Sequence, residues 1–338
     1  MNSRKIVEKT LTFDSPERIP RQVRILPWAE ETWPDEVSKL RDTQPDDIIL
    51  APAIYKKHVK TSGDRYYSEE YVDEWGCKFI NVHKGVIGIV QEPLIARWED
   101  LKNFRPPEST LNLDKDEINA FCRSTDKFVL AGTLIRPFER LNFIRTMEQS
   151  LIDLSLKPPE LLYLLHSIHD HYCKEVEVWA RTEVNAIYLM DDWGMEKAML
   201  VSPDIFRKYF KPMYMEYAEI ARFYRKYVFM HSDGCIKDII PDLIEVGISA
   251  LNSQLFCMDI KELGDLFRGK ITFWGEIDRQ NLLPNGTTED IRQAVHKVYE
   301  NLYDRGGLIA QCEFGPGAKP ENVMTVFETW EAINQTLK

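Results

Sequence analysis

The 338-residue chain has a net charge of −11, which argues against a broad nucleic-acid footprint, because that needs a basic face. Its hydrophobic content of 44% is that of a globular protein, long enough for two ordinary domains or one large α/β barrel. No apolar run reaches membrane-spanning length and MNSRKIVEKT has no apolar leader core, so a cytoplasmic protein away from membranes is expected. Cys77, Cys122, Cys173, Cys235, Cys257 and Cys312 lack paired spacing and read as free thiols or ligands rather than a disulfide framework.

Residues 1–12 read as a short polar helix, and the apolar run Val23–Leu26 as a first strand with Arg21 and Arg24 beside it. Between 30 and 125, prolines interrupt every pattern and only short β-like pieces appear, DIILAPAI and KGVIGIV among them. This region is expected to be an insertion or flap elaborating the core. Within it, YVDEWGCKFI alternates like a half-buried strand. KFVLAGTL is a buried strand, 138–156 is helical, and Pro158-Pro159 opens a further helix. That helix carries His166, His169, His171 and Cys173, which read as a helix face rather than a metal cluster, because 171 does not share the side of the others. NAIYLMDDWG is again a strand, ending in Asp191 and Asp192. These neighbours point to opposite faces, so one serves the strand end and the other can cap the following segment.

The stretch 226–278 holds three apolar runs, YVFM, ISALN and ITFW, each ending in polar residues: His231 and Asp233, then Ser253 and Gln254, then Glu276 and Asp278. LIAQCEF follows the same pattern with Cys312 and Glu313. Strands near 22, 129, 186, 228, 249, 272 and 309, plus one in the unclear region, alternate with helices. The fold expected is a single α/β domain over 1–338, a distorted (β/α)₈ barrel of the TIM type with an elaborated N-terminal region. Its site would lie where the strands end. Neither G-x-G-x-x-G after a strand nor G-x-x-x-x-G-K-[ST] occurs. An imidazole, a thiolate and a carboxylate converging from His231, Cys312 and Glu276 or Asp233 form a donor set that zinc favours. Arg21 and Arg24 could clamp an anion.

FMHSDGCIKDIIPDLIEVGISALNSQ, ITFWGEIDRQNLLPNGTTEDIRQAV and GGLIAQCEFGPGAKPENV, with DEWGCKF and DDWGMEKAMLVSPDIFRKYFKPMY, resemble the uroporphyrinogen decarboxylase superfamily. The resemblance implies a distorted (β/α)₈ barrel. It also implies one of two activities: decarboxylation of porphyrinogens, or zinc-dependent methyl exchange with corrinoids. Two departures set the chain apart from the decarboxylases. Their R-Q-A-G-R is Arg21-Gln22-Val23-Arg24 here, and Gln311-Cys312-Glu313 stands where they carry a G-H-G histidine.

The methyltransferase branch is the closer match. It implies His231 and Cys312 as zinc ligands, with Asp233 where that branch has a second cysteine. The third ligand is then Glu276, Asp233 or Cys235, of which Glu276 is preferred. Asp233 and Asp191 are the expected catalytic groups, and Arg24, Asp192, Gln254 and Glu313 the expected substrate-binding ones. The resemblance implies Zn²⁺ and methylcobalamin, free or on a corrinoid protein, and a thiol, ether or amine as small-molecule partner, in a monomer or homodimer. A tetrapyrrole decarboxylase and a non-catalytic tetrapyrrole-binding or corrinoid-binding barrel are the alternatives.

Overall fold

The computed structural model describes residues 1–337. Eight strands run parallel around a nearly closed barrel: β1 Arg21–Ile25, β2 Ile48–Leu50, β3 Phe128–Leu130, β4 Ala186–Met190, β5 Tyr227–Ser232, β6 Ala250–Ser253, β7 Thr272–Trp274 and β8 Leu308–Phe314. Each pairs with its sequence neighbour from β2 to β8, and β8 pairs back with β1. The last seam, β1 to β2, is joined by Asp47 N–H donating to the Arg21 carbonyl at 2.9 Å. This is the (β/α)₈ barrel expected from the alternation of strands and helices. Its helices bury one stripe each against the outside of the strands. Pro159–Ala180 does so with Leu161, Leu164, Leu165, Ile168, Tyr172 and Val176, a helical period.

Two apolar cores result. Ile48, Phe128, Leu130, Ala186, Tyr188, Phe229, Ala250, Trp274 and Ile309 fill the lumen, while Val129, Ile187, Leu189, Met230, Leu251, Phe273, Ala310 and Cys312 face the helices. The alternation is the strand period of two, and it decides which strand-end side chains reach the mouth.

The region 30–125 divides in two. Helix Pro34–Thr43 and β2 belong to the barrel, so the eighth strand is the piece IIL within DIILAPAI. The flap proper lies between β2 and helix Lys115–Arg123. It contains a small antiparallel sheet of Glu70–Val72, Lys78–Ile80 and Ile89–Val90. YVDEWGCKFI is thus a hairpin rather than one strand. Asp73 forces the turn by accepting from Trp75 N–H at 3.0 Å and Cys77 N–H at 2.8 Å. The helix expected over 138–156 is two helices, Pro137–Arg145 and Met147–Leu156, parted at Thr146 with φ 69. All six cysteines are free. No helix among the described residues is long and apolar enough to cross a membrane.

Candidate active site at the barrel mouth

Because all eight strands are parallel, their carboxyl ends share one edge, and His231 stands there on β5. It follows Tyr227 and Phe229 on the lumen side. Asn252, the matching lumen position of β6, pairs with it in register. Asn252 donates its amide N–H to the Trp274 carbonyl, which turns its Oδ1 toward His231 Nδ1, 2.5 Å away. An acceptor there requires the proton on Nδ1. Nε2 is thereby aimed at Asp233 Oδ1, 3.3 Å, and Asp192 Oδ1, 3.5 Å.

The loops that carry those two acids touch through a pair of glycines. A Cβ on Gly194 would lie 2.6 Å from Cys235 N, and one on Gly234, at φ 78, would lie 2.3 Å from the Gly194 carbonyl carbon. Only glycine lets the β4 and β5 loops meet this way. Gly194 N–H donates to the Asp233 carbonyl, and Asp233 N–H to Asp192 Oδ1, locking the pair.

Burial alone would depress the His231 imidazole, but the Asp233 and Asp192 carboxylates beside Nε2 raise it to about 10. Burial pushes the Asp233 carboxyl up, and His231 and Arg279 together overcome it, holding Asp233 well below the usual range. Glu276 follows β7 and is buried. Neither of its oxygens has a hydrogen-bond partner, and burial raises its carboxyl to about 8 against the pull of Arg279. Arg279 lies across three carboxylates. Its guanidinium meets Asp233, Glu276 at 3.5 Å and Glu313 at 3.3 Å, and Glu313 also faces Arg24 at 3.4 Å.

The donor atoms of Asp192, His231 and Asp233 lie within 4.8 Å of one another, a spacing one ion can span. Asp233 Oδ1, buried without a hydrogen-bond partner, and the two bare oxygens of Glu276 are what a cation would satisfy. One imidazole and two or three carboxylates fit zinc through nitrogen and oxygen donors. A thiolate does not join them. Cys312 shares the outer face of β8 with Ala310: it sits beside Val23 on the β8–β1 pair, fully buried in the helix-facing core. Burial pushes its thiol well up. The lumen-facing residues of β8 are Ile309, Gln311 and Glu313.

The adjacent acids divide as their strand period requires. Asp192 faces the mouth. Asp191 faces outward and is completely buried, accepting from Phe138 N–H at 2.9 Å, Glu139 N–H at 2.6 Å and the Tyr214 hydroxyl. It holds the first turn of helix Pro137–Arg145, a positioning task at a helix N-terminus. Gln254 accepts from Gly234 N–H at 2.8 Å, beneath the glycine pair. Arg21 leaves the mouth for Gln44 and Glu331, whereas Arg24 faces in. Cys235 is not among the grouped donor atoms.

A cavity of about 800 Å³ opens above Tyr188 and Trp274, between the mouth and the flap. Arg24, Arg65, Arg136 and Arg140 line it together with Tyr55, Tyr71, Trp75, Phe79 and Phe143. Arg65 has no carboxylate partner among the described residues and is depressed by burial and by the nearby charge of Arg136. A smaller cavity of about 240 Å³ adjoins Glu276 and Arg279 on the other side, walled by Gln254 and Asp278. Asn252, Arg279, Arg65 and Arg136 were not foreseen as site residues. For Arg279 a signal existed, since GEIDR places it three residues after Glu276.

No curated protein sequence matches the chain. Among solved structures, a methyltransferase from Methanosarcina mazei superposes with a TM-score of 0.72 at 14% identity, covering 98% of this chain and 99% of that one. At this identity the likeness is one of fold. The model of the family described as Uroporphyrinogen decarboxylase (URO-D) matches residues 72–333, from the flap hairpin through the last helix. With most of its length matched in this way, the chain belongs to the uroporphyrinogen decarboxylase family.

Proposed function

We propose that this chain is a metal-dependent methyltransferase. Asp192, His231 and Asp233 hold a divalent cation, zinc in our reading. A methyl group moves between a corrinoid, free or protein-bound, and a small thiol, ether or amine in the cavity. The observation that carries the metal is the arrangement of His231, with Nδ1 engaged by Asn252 and Nε2 left between two carboxylates. Methyl transfer draws its support from the family and from the full-length likeness of fold to the Methanosarcina mazei methyltransferase.

When bound, the cation supplies Lewis-acid polarisation of the substrate heteroatom or lowers the pKa of a bound thiol. Asn252 orients the imidazole. Asp192 anchors the Asp233 loop as well as offering an oxygen. Glu276, with two unpartnered buried oxygens, is our candidate for a further donor. Arg24, Arg65 and Arg136 favour a substrate or corrinoid edge that carries an anionic group, and the aromatic walls favour a flat or apolar body. Cys312 and Asp191 have no contact with substrate in this reading.

A second reading is a metal-free decarboxylase of a tetrapyrrole-type substrate. It is favoured by Arg279, which balances three carboxylates without an ion. Metal analysis of protein purified without chelator separates the two. Under the first reading, His231→Ala and Asp192→Asn each carry one equivalent less than wild type. Asn252→Ala binds roughly 10–100-fold more weakly. Demethylation of methylcobalamin by added thiols, followed in the visible spectrum, then requires that metal. Equal metal content in wild type and His231→Ala, with intact decarboxylation, would overturn it in favour of the second.

A further inference from the structure

We propose a metal site on the outer face of the barrel, formed by His169, Cys173 and Glu216, that takes one zinc or similar borderline transition-metal ion. It is independent of the mouth, since it lies in the helical ring and shares no residue with it.

His169 and Cys173 stand one turn apart on helix Pro159–Ala180, so both face the same neighbour. That neighbour is helix Lys211–Phe223, which brings Glu216. The three donor atoms lie within 4.8 Å of one another. His169 Nε2 is 2.9 Å from Glu216 Oε2 and 3.7 Å from Cys173 Sγ. Tetrahedral coordination at ordinary zinc distances separates a nitrogen from an oxygen by about 3.3 Å and from a sulfur by about 3.6 Å, so the side chains already hold nearly the required spacing. His169 Nδ1 is 3.1 Å from the hydroxyl of Tyr217, a fully buried side chain on the same helix as Glu216. That contact fixes the ring and leaves Nε2 for the ion, the arrangement typical of metal-bound histidine.

The electrostatics agree with the geometry. Burial and the Glu216 carboxylate push the Cys173 thiol up, so with nothing bound it stays protonated beside an acid. A divalent ion displaces that proton to solvent and turns the repulsion between thiolate and carboxylate into shared coordination. Imidazole, thiolate and carboxylate with a water in the fourth position suit zinc or cobalt and not calcium or magnesium. The ion would clasp the helices that follow β3 and β4. The second of these also carries Tyr214, whose hydroxyl donates to Asp191 behind the mouth.

Cobalt(II) titration of the full chain, stripped of metal, tests this. A thiolate ligand gives a cobalt charge-transfer absorption in the near ultraviolet, and the mouth cluster of Asp192, His231 and Asp233 contains no thiolate. The band should appear in wild type, saturate at one equivalent in His231→Ala, where the mouth takes no cobalt, and disappear in Cys173→Ser, with circular dichroism confirming that the variant is folded. Zinc should compete for the band and raise the melting temperature of wild type more than that of Cys173→Ser. Absence of the band in wild type at saturating cobalt, or an unchanged band in Cys173→Ser, would overturn the site. Failure of the mouth reading appears instead as equal metal content in wild type and His231→Ala, and leaves the band untouched.

Discussion

Arg279 occupies the point where Asp233, Glu276 and Glu313 converge, and it decides how the mouth behaves without an ion. One buried and two half-buried carboxylates with no cation would be costly, so one guanidinium stands in. The same charge opposes a cation held by Asp192, His231 and Asp233. At an effective dielectric of about 20, a unit charge several ångströms away costs a bound ion about 1–2 kcal/mol after screening. Arg279→Gln should therefore bind zinc about 10-fold more tightly than wild type, measured by competition with a chromophoric chelator. Its metal-free form should be less stable. Unchanged or weaker affinity would mean that the ion does not sit beside Asp233.

Arg140 is the buried charge that joins the flap hairpin to the barrel, while Arg145 holds the flap's later part through the Ile95 and Ala96 carbonyls. Arg140, on helix Pro137–Arg145, is buried and bonded to Asp73 at 2.5 Å, Glu74 at 3.4 Å and the Tyr172 hydroxyl at 3.3 Å. Its guanidinium also lies 4.6 Å from the Trp75 ring centroid. Asp73 uses its other oxygen to shape the hairpin turn, so the ion pair and the turn are one unit. Breaking a buried pair by removing one partner costs about 3–5 kcal/mol. In Arg140→Met that cost should fall on flap docking rather than on the barrel, which has its own core. Hydrogen exchange should show accelerated amides over 70–90 and unchanged protection in β4 to β6. A uniform loss across the barrel would contradict a separately docked flap.

The barrel closes across β1 and β2 mainly by side chains, since among the described residues one backbone hydrogen bond joins the two strands. The Asp47 carboxylate, nearly wholly buried, accepts from Arg21 N–H at 2.8 Å, Arg18 at 2.6 Å and Ser3 at 2.6 Å, and its own N–H bonds the Arg21 carbonyl. It thus ties the first helix, the first strand and the second strand at the seam. Asp46 adds a bond from Val23 N–H at 2.6 Å. Asp47→Ala leaves Arg18 and a strand N–H unpaired, and should lower the unfolding free energy by about 3–5 kcal/mol. The urea midpoint should fall with no change in slope. A loss below about 1 kcal/mol would show that the Asp47 carboxylate does not hold the seam.

Much of this molecule follows from local pattern. Short apolar runs at regular spacing, each ending in polar residues, are enough to specify parallel strands and a common edge, and so to single out His231, Asp233, Glu276 and Glu313. The strand period also separates Asp191 from Asp192, and, counted from Ile309, puts Cys312 on the opposite side from Glu313. The expectation of Cys312 as a ligand set that count aside. Which face of each strand looks into the lumen is a different matter, because both faces of a parallel strand are buried and equally apolar. Only barrel closure decides it, and with it the roles of Cys312 and Asp191. The same holds for partners far apart in the chain. Asn252 meets His231, Arg279 meets Glu313, and Glu216 meets His169 on the outer helices, because packing joins elements whose separation in sequence carries no distance information. The sequence by itself determined the strands, the edge and the kinds of donor available there; the closed tertiary structure decided which donors share a point, because convergence exists only once β1 has met both β8 and β2.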